Sequence, residues 1–324
     1  MKIVFFGLEK NEQVVFLESF IGVDISFIEG KLDENNTIDA KDADVVCVFI
    51  NSDINKKVID ALPNLKFIAT RATGYNNIDC EYANTKGIKV SNVPAYGSHT
   101  VAEFAFGLIL NLSRNIIKAN NYVRGSSDFN YFQEMEGFDL EGKTLGIIGT
   151  GKIGKNVLKI AKGFAMNVVA YDLYPDQVFA KENNFEYKIL NEVVSQSDII
   201  TLHAPYTKEN HHLINKENIS LMKKGAYLVN TARGELVDTE ALIWGLKEGI
   251  IGGVGLDVLE NEKDLRDHKD SSLALLNKEL MNMPNVIVTP HIAFYTREAV
   301  SEILKTTVLN IKSFLTNNPV NLVK

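Results

Sequence analysis

At 324 residues the chain is long enough for two domains, and its composition, 45% hydrophobic and 23% charged, is ordinary for a globular protein. The net charge of −7 argues against nucleic acid or an anionic membrane as the main partner. Residues 1–7 are too short an apolar run for a signal peptide, and the longest apolar stretch, residues 101–112, contains Glu103 and cannot span a membrane.

The two cysteines of the chain indicate the cellular compartment of the protein. Cys47 lies in an apolar run, residues 45–50, and Cys80 lies near a turn. Both are predicted to be buried structural thiols. We expect a cytoplasmic protein without disulfides.

The first part of the chain has an α/β pattern of its own. Helix-like segments at residues 11–20 and 56–62 lie between some of its strand-like runs. Those runs occupy residues 2–6, 24–28, 43–50, 67–70 and 89–91. The pattern predicts a smaller parallel α/β unit.

A capping-box pattern, Thr100-Val101-Ala102-Glu103, predicts a helix that begins there and ends near Ile117. Apolar residues occur nearly all round this helix, which is typical of a helix buried between two bodies. It is predicted to be an interdomain spine, a subunit interface, or both.

The most informative motif is GTGKIG at residues 149–154, a G-x-G-x-x-G loop. A strand-like run, residues 144–148, precedes it, and helical spacing of apolar residues follows to Phe164. Strand, glycine loop and helix form the context of a dinucleotide-binding fingerprint. The loop residues predicted to contact the cofactor are Gly149, Gly151, Lys152, Ile153 and Gly154.

The next strand, residues 167–171, ends at Asp172, an acid 18 residues beyond Gly154. An acid about 20 residues after the fingerprint accepts a hydrogen bond from the ribose 2′-hydroxyl. It also repels a 2′-phosphate, so the predicted cofactor is NAD rather than NADP. We expect no metal ion.

Further strand signals occupy residues 199–203, 226–230, 253–257 and 286–289, and residues 297–315 show helical spacing. The cofactor domain is therefore predicted to be inserted into the first domain. Predicted boundaries are 1–98 for the first part of the substrate domain, 99–294 for the NAD domain and 295–324 for the C-terminal helix. The chain would then pass twice between the two domains. Two such connections imply a hinge, and we expect ligands to bind in the cleft between the domains.

Hydride transfer to a keto acid requires a cation for the carboxylate and a proton donor near neutral pKa. Arg233 follows a strand, where ligands gather in doubly wound folds, and a guanidinium binds a carboxylate with two hydrogen bonds. His291 also follows a strand and is the preferred proton shuttle among the six histidines. A neighbouring acid would raise the pKa of His291 and fix its tautomer. The sequence pattern alone does not distinguish Glu260, Glu262 and Asp264 as that acid.

Several motifs together resemble the D-isomer-specific 2-hydroxyacid dehydrogenase family over essentially the whole chain. Besides GTGKIG they are RATGYNNID (71–79), VPAY (93–96), NTARG (230–234), GLDVLENE (255–262) and TPHIAFYT (289–296). The resemblance implies a flavodoxin-like substrate domain that carries an inserted Rossmann NAD domain, both doubly wound parallel sheets. It also implies a homodimer.

The resemblance also implies roles for individual residues. Arg233 is the substrate arginine, His291 the acid/base and Glu262 its partner. The remaining implied cofactor contacts are Ala204, Pro205, Asn210, Thr231, Ala232 and Asp257. The remaining implied substrate contacts are Thr73, Gly74, Tyr96 and Phe294.

Within the family the segment Ala293-Phe294-Tyr295-Thr296 and the insert at residues 262–285 resemble fermentative D-lactate dehydrogenases. The rings of Tyr96 and Phe294 suit a small pocket, so the predicted reaction is reversible reduction of pyruvate by NADH. The stretch Leu265-Arg266-Asp267-His268 departs from the resemblance, because it is more charged than the aromatic-rich version expected there.

The resemblance admits four alternative functions. A phosphoglycerate type usually carries a C-terminal regulatory domain, which is not expected because the chain ends at Lys324. A formate-oxidising type has no acid paired with its histidine. A dehydrogenase for a bulkier 2-keto acid, of the 2-hydroxyisocaproate type, stays open. An NAD-sensing corepressor or scaffold lacks support, because there is no long tail or basic patch.

Overall fold

The computed structural model describes residues 1–323, and the chain divides into two compact units. The first consists of residues 1–97 together with the segment that begins at Thr296, and the second is Ser98–Tyr295. The predicted domain boundaries differ from these unit boundaries by one residue at both places where the chain passes from one unit to the other. Both units are α/β folds on parallel sheets, so the predicted fold class is confirmed.

Within the described residues the first unit has a five-stranded parallel sheet in the order β2-β1-β3-β4-β5. Its strands are β1 Lys2–Phe6, β2 Asp24–Ile28, β3 Val45–Val48, β4 Phe67–Thr70 and β5 Lys89–Ser91. Its helices are α1 Lys10–Ser19, α2 Lys56–Asp60, α3 Cys80–Thr85 and, last in the chain, α13 Arg297–Leu315.

Both faces of this sheet are covered, which explains its continuous apolar strands. Val4 and Phe6 belong to the core on one face, whereas Ile3 and Phe5 belong to the core on the other, together with residues of α13. Phe314 of α13 stacks on Phe67 of β4 with 4.4 Å between ring centroids. The C-terminal helix thus completes the first unit, as its single apolar stripe predicts.

The second unit has, within the described residues, a seven-stranded parallel sheet in the order β12-β11-β10-β9-β6-β7-β8. Its strands are β6 Thr144–Ile148, β7 Asn167–Tyr171, β8 Glu186–Tyr187, β9 Ile199–Leu202, β10 Ala226–Asn230, β11 Ile251–Leu256 and β12 Val286–Val288. Its helices are α4 Ser98–Arg114, α5 Ile116–Ser126, α6 Lys152–Gly163, α7 Gln177–Glu182, α8 Leu190–Gln196, α9 Lys216–Ile219, α10 Thr239–Lys247, α11 Glu262–Arg266 and α12 Ser272–Met281.

Strand order reverses at β6, which pairs with β7 on one side and with β9 on the other. The loops after β6 and β9 therefore diverge and leave a crevice at the carboxyl ends of the strands, where doubly wound folds bind ligands. The fingerprint loop lies there, directly after β6.

The predicted limits of helix α4 were wrong at both ends. The helix begins at Ser98, so Thr100 and Glu103 lie inside it and form no capping box. It ends at Arg114 because Asn115 adopts the left-handed conformation, φ +52°, which stops an α-helix. Ala105, Phe106 and other apolar residues of α4 are buried in the core of the second unit.

Cys47 and Cys80 are both free, as predicted. Cys47 is buried, and burial raises the pKa of its thiol to about 12. Cys80 is only half-buried, which differs from the predicted full burial. Within residues 1–323 we find no helix with the length and apolarity that a membrane crossing requires.

Candidate active site

Each glycine of the fingerprint has a distinct steric requirement. Gly149 has φ +92°, and a Cβ there would lie 2.6 Å from the amide nitrogen of Ala204. A Cβ on Gly154 would overlap the carbonyl oxygen of Gly149, so the third glycine lets α6 pack on its own loop. A Cβ on Gly151 would meet nothing within 4 Å. This open space next to the N-terminus of α6 fits a pyrophosphate.

Asp172 is held beside the fingerprint loop. Its Oδ2 accepts hydrogen bonds from the amide and the hydroxyl of Thr150, at 2.6 and 2.8 Å, and its Oδ1 accepts one from the amide of Tyr174 at 2.9 Å. The Thr150 hydroxyl also lies 2.8 Å from that of Tyr187. The carboxylate is thereby fixed next to the phosphate loop, where the ribose of a dinucleotide would lie.

The other predicted cofactor residues follow β9 and β10. Both polar atoms of the Asn210 side chain are engaged inside its own loop, since it donates to the Pro205 carbonyl and accepts from the Thr207 amide, each at 2.7 Å. Asn210 therefore braces this loop. The buried Thr231 hydroxyl has no hydrogen-bond partner among residues 1–323, which leaves it available to a bound cofactor.

Arg233 lies in a tight turn after β10. Asn230 bridges that turn, because its side chain accepts from the Ala232 amide at 2.9 Å and donates to the Arg233 carbonyl at 2.8 Å. The guanidinium donates to the Ala232 carbonyl at 2.7 Å, and in the part of the chain that the structure describes it has no carboxylate partner. The positive charge is therefore not neutralised within the second unit.

Gly234 allows two loops to meet. A Cβ there would overlap the Leu259 carbonyl and the Glu260 amide nitrogen. The turn that carries Arg233 thus packs directly on the segment that leads to Glu262. Only glycine permits this approach of backbone to backbone.

His291 and Glu262 form a hydrogen bond of 2.7 Å between Nδ1 and Oε1. The same oxygen accepts from Nη2 of Arg266 at 2.9 Å. Burial would raise the pKa of Glu262, but the bond from His291 and the charges of His291 and Arg266 outweigh it and the pKa is lowered. Glu262 is therefore held as a carboxylate beside the imidazole of His291.

The other two acids left open by the sequence have different partners. Glu260 lies 2.9 Å from His212, and Asp264 accepts from Asn261 at 2.6 Å. The structure therefore places Glu262, and not these acids, on His291. The neighbouring strands explain the contact, since β11 pairs with β12 and both loops leave the same edge of the sheet.

Asp257 anchors the loop that carries His291. Its buried carboxylate accepts from the Thr289 hydroxyl at 2.6 Å and from the amides of Ile292 and Ala293 at 2.9 and 2.8 Å. Burial raises its pKa, although these hydrogen bonds and the charge of His291 oppose the shift. His291 itself has φ +58°. The bonds give Asp257 a positioning role, and its predicted contact with the nicotinamide stays a prediction.

The predicted substrate contacts lie in both units. Phe294 belongs to the second, where its ring meets that of Tyr295 edge-on with 5.7 Å between centroids. Thr73, Gly74 and Tyr96 belong to the first. The Thr73 hydroxyl donates to the Val93 carbonyl at 2.8 Å, which joins two motifs of the resemblance.

Four positioning residues were missed from the sequence: Thr150, Asn230, Arg266 and Thr289. Thr150, Asn230 and Thr289 lie within two residues of predicted site residues, and each holds one such residue or its loop. Their short polar side chains at strand ends were the available signal. For Arg266 the available signal was its position four residues after Glu262, which is the spacing of an ion pair on a helix.

Known proteins are similar to this chain in sequence and in fold over most of its length. The family model for the NAD-binding domain of D-isomer specific 2-hydroxyacid dehydrogenases matches residues 106–293. The D-lactate dehydrogenase of Escherichia coli is 41% identical over 302 residues, covering 91% of this chain and 90% of that protein. An aromatic 2-oxoacid reductase of Clostridium sporogenes is 42% identical over 291 residues, covering 85% and 84%.

Among solved structures, D-lactate dehydrogenase from Aquifex aeolicus, complexed with NAD and lactic acid, superposes with a TM-score of 0.87. It is 36% identical, and the match covers 98% of this chain and 96% of that one. The chain belongs to the D-isomer-specific 2-hydroxyacid dehydrogenase family, as its motifs predicted. It is an NAD-dependent oxidoreductase of that family.

Proposed function

We propose that the protein catalyses the reversible reduction of pyruvate to D-lactate, with NADH as the hydride donor. The observation that carries the proposal is the hydrogen bond between His291 and Glu262, combined with an Arg233 that has no carboxylate partner in the second unit. Both features match what reduction of a small 2-keto acid requires: a proton donor held ready and a cation for an anionic substrate.

The proposed roles follow from the contacts. Arg233 binds the substrate carboxylate with two hydrogen bonds and polarises the keto oxygen. His291 donates the proton from Nε2 to that oxygen, because Nδ1 is engaged by Glu262. Glu262 stabilises the imidazolium before the transfer and keeps the ring oriented. Bound NADH supplies the hydride to the keto carbon.

In the proposed cofactor site, the loop at Gly149–Gly154 holds the pyrophosphate and Asp172 accepts from the adenosine ribose. The open space at Gly151 and the unpartnered hydroxyl of Thr231 support this placement. The predicted contributions of Thr73, Gly74 and Tyr96 to the substrate site, and of Phe294 to its size, stay predictions.

A bulkier 2-keto acid is the second candidate substrate. Similarity to an aromatic 2-oxoacid reductase supports it at nearly the same identity as similarity to a D-lactate dehydrogenase. Steady-state kcat/KM for pyruvate, 2-ketobutyrate, 2-ketoisocaproate and phenylpyruvate, with NADH absorbance as the readout, decides between them. The proposal requires pyruvate to rank first. A higher value for phenylpyruvate or 2-ketoisocaproate contradicts pyruvate specificity, and no turnover on any keto acid contradicts the enzymatic role.

We also propose that the protein is a homodimer, as the resemblance implies. Phe129 and Tyr131 follow α5 and are 92% and 91% exposed, and Ile116 and Ile117 at the start of α5 are 51% and 41% exposed. Large apolar side chains exposed in this way are typical of a subunit interface. Light scattering after gel filtration should give twice the monomer mass of 36.1 kDa. The predicted cytoplasmic location stays a prediction.

A further inference from the structure

Two histidines and one acid outside the candidate active site lie close together. His211 and His212 belong to the loop that follows β9, and Glu260 belongs to the loop that follows β11. One nitrogen of each imidazole and one carboxylate oxygen lie within 4.8 Å of one another. The sequence predicted no metal. His212 and Glu260 lie 48 residues apart in the chain, and the order of the strands brings them together.

The distances between the donor atoms are close to those of a metal site. His212 Nε2 lies 2.9 Å, and His211 Nε2 lies 3.9 Å, from the same Oε1 of Glu260. Around a tetrahedral zinc ion with bonds of about 2.0–2.1 Å, donor atoms are roughly 3.3 Å apart. Closing three donors on one ion requires the His211 imidazole to rotate out of its stack on His212, because two near-parallel rings cannot both direct a lone pair at one ion.

The surroundings orient the donors. The Glu260 side chain is only 12% exposed, and its backbone carbonyl accepts from Asn277 at 2.8 Å. The imidazole of His211 stacks on that of His212 with 3.8 Å between centroids. Asp238 lies 3.9 Å from Nδ1 of His212, on the ring side opposite Glu260. At 3.9 Å Asp238 is not hydrogen-bonded to this nitrogen, although it lies on the side where the outer carboxylate of a ligating histidine is usually found.

We propose that His211, His212 and Glu260 form a binding site for a divalent transition-metal ion of the zinc type. Two imidazoles and one carboxylate suit zinc, nickel or copper, whereas magnesium and calcium prefer oxygen donors alone. His211 is 44% exposed, so the site opens to solvent and leaves room for water as a further ligand.

A bound ion would join the loops after β9 and β11. These loops carry predicted cofactor residues, Ala204 and Pro205, and the segment that leads to Glu262. The site is separate from His291, and metal binding does not depend on the proposed reaction. Its expected effect is to restrain both loops and raise the thermal midpoint of unfolding.

The test is isothermal titration of the untagged, EDTA-treated full chain with zinc chloride. We expect one equivalent bound to the parent. The double variant His211→Gln/His212→Gln should bind none, and Glu260→Gln should bind about tenfold to a hundredfold more weakly. His268→Gln removes another exposed histidine and should bind like the parent, and circular dichroism confirms that each variant is folded.

Copper serves as a second probe whose signal reports the ligands. The electron paramagnetic resonance spectrum of the parent with one equivalent of Cu²⁺ should show coupling to two imidazole nitrogens, and that of His211→Gln should show coupling to one. Failure of the parent to bind zinc, or unchanged zinc binding by the folded double variant, overturns the proposal. Turnover of pyruvate by metal-free protein tests the proposed function separately.

Discussion

Glu262 presents one oxygen, Oε1, to two basic side chains: Nδ1 of His291 lies at 2.7 Å and Nη2 of Arg266 at 2.9 Å. His291 can lose its charge, whereas a guanidinium keeps it at any working pH. The Glu262 carboxylate therefore contacts one side chain whose charge depends on pH, His291, and one whose charge does not, Arg266. This arrangement makes the pH dependence of the proposed reaction sensitive to both partners of Glu262.

Glu262→Gln removes the charge that stabilises the imidazolium. Reduction needs the protonated form of His291, so the alkaline limb of kcat/KM for pyruvate should move to lower pH, by about one unit or more. The measurement is a pH series from 5 to 10 with saturating NADH. Asp264→Asn, which changes an acid of the same segment that does not contact His291, should leave the midpoint in place. An unchanged profile in Glu262→Gln would count against the pairing.

Arg266→Met should have the opposite effect. With the competing cation removed, Glu262 interacts with His291 alone, so activity should persist to higher pH, by roughly half a unit or more. Lys269→Met removes a nearby cation that pairs with other acids and should not move the profile. A shift of the alkaline limb to lower pH would show that Arg266 does not compete for the carboxylate.

Arg233→Ala should lower kcat/KM for pyruvate at least about a hundredfold, because a charged group aimed at the substrate is worth several kcal/mol of barrier. Arg233→Lys should restore little, since an ammonium ion cannot make two parallel hydrogen bonds to a carboxylate. Fluorescence titration with NADH is the control and should give parent affinity in both. Near-parent turnover by Arg233→Ala contradicts the assigned role.

Gly234→Ala should destabilise the protein by about 1–3 kcal/mol, because the added methyl group overlaps backbone atoms of Leu259 and Glu260. It should also lower activity, since the loops of Arg233 and Glu262 would separate. Gly163→Ala is the matched control: its Cβ would meet nothing within 4 Å, and in α6 it should be neutral or stabilising. Urea unfolding and kcat/KM provide the two readouts, and parent values for Gly234→Ala would refute the close approach.

His203 should make the folded state sensitive to acid. Burial lowers its pKa to about 3, its Nε2 contacts Thr201, and its Nδ1 has no partner among residues 1–323. The unfolded chain binds a proton near pH 6.5 whereas the folded one does not, so the free energy of unfolding should fall below that pH by about 1.4 kcal/mol per unit. Urea titrations at pH 7 and pH 5 should show a smaller loss in His203→Gln. Equal losses would contradict a neutral buried imidazole.

Local patterns predicted much of the fold because strands and helices of this kind depend on residues close in sequence. The apolar runs at Lys2–Phe6 and Thr144–Ile148, and the apolar stripe of Arg297–Leu315, gave the observed bounds. The start of α4 was misplaced because a capping pattern is short and also occurs inside helices. The end of α4 depends on the left-handed Asn115, whose side chain is held by carbonyls some 20 residues away.

Residues close together in the chain specify the cofactor loop, since the glycine spacing, the preceding strand and Asp172 all lie within one βαβ unit. Motif resemblance then named Arg233, Glu262 and His291. Only the folded chain brings Glu262 against His291 and Glu260 against His212. These contacts span 29 and 48 residues. These contacts form because the parallel sheet aligns the carboxyl ends of β9, β10, β11 and β12. That strand order is a property of the folded core and not of any short motif.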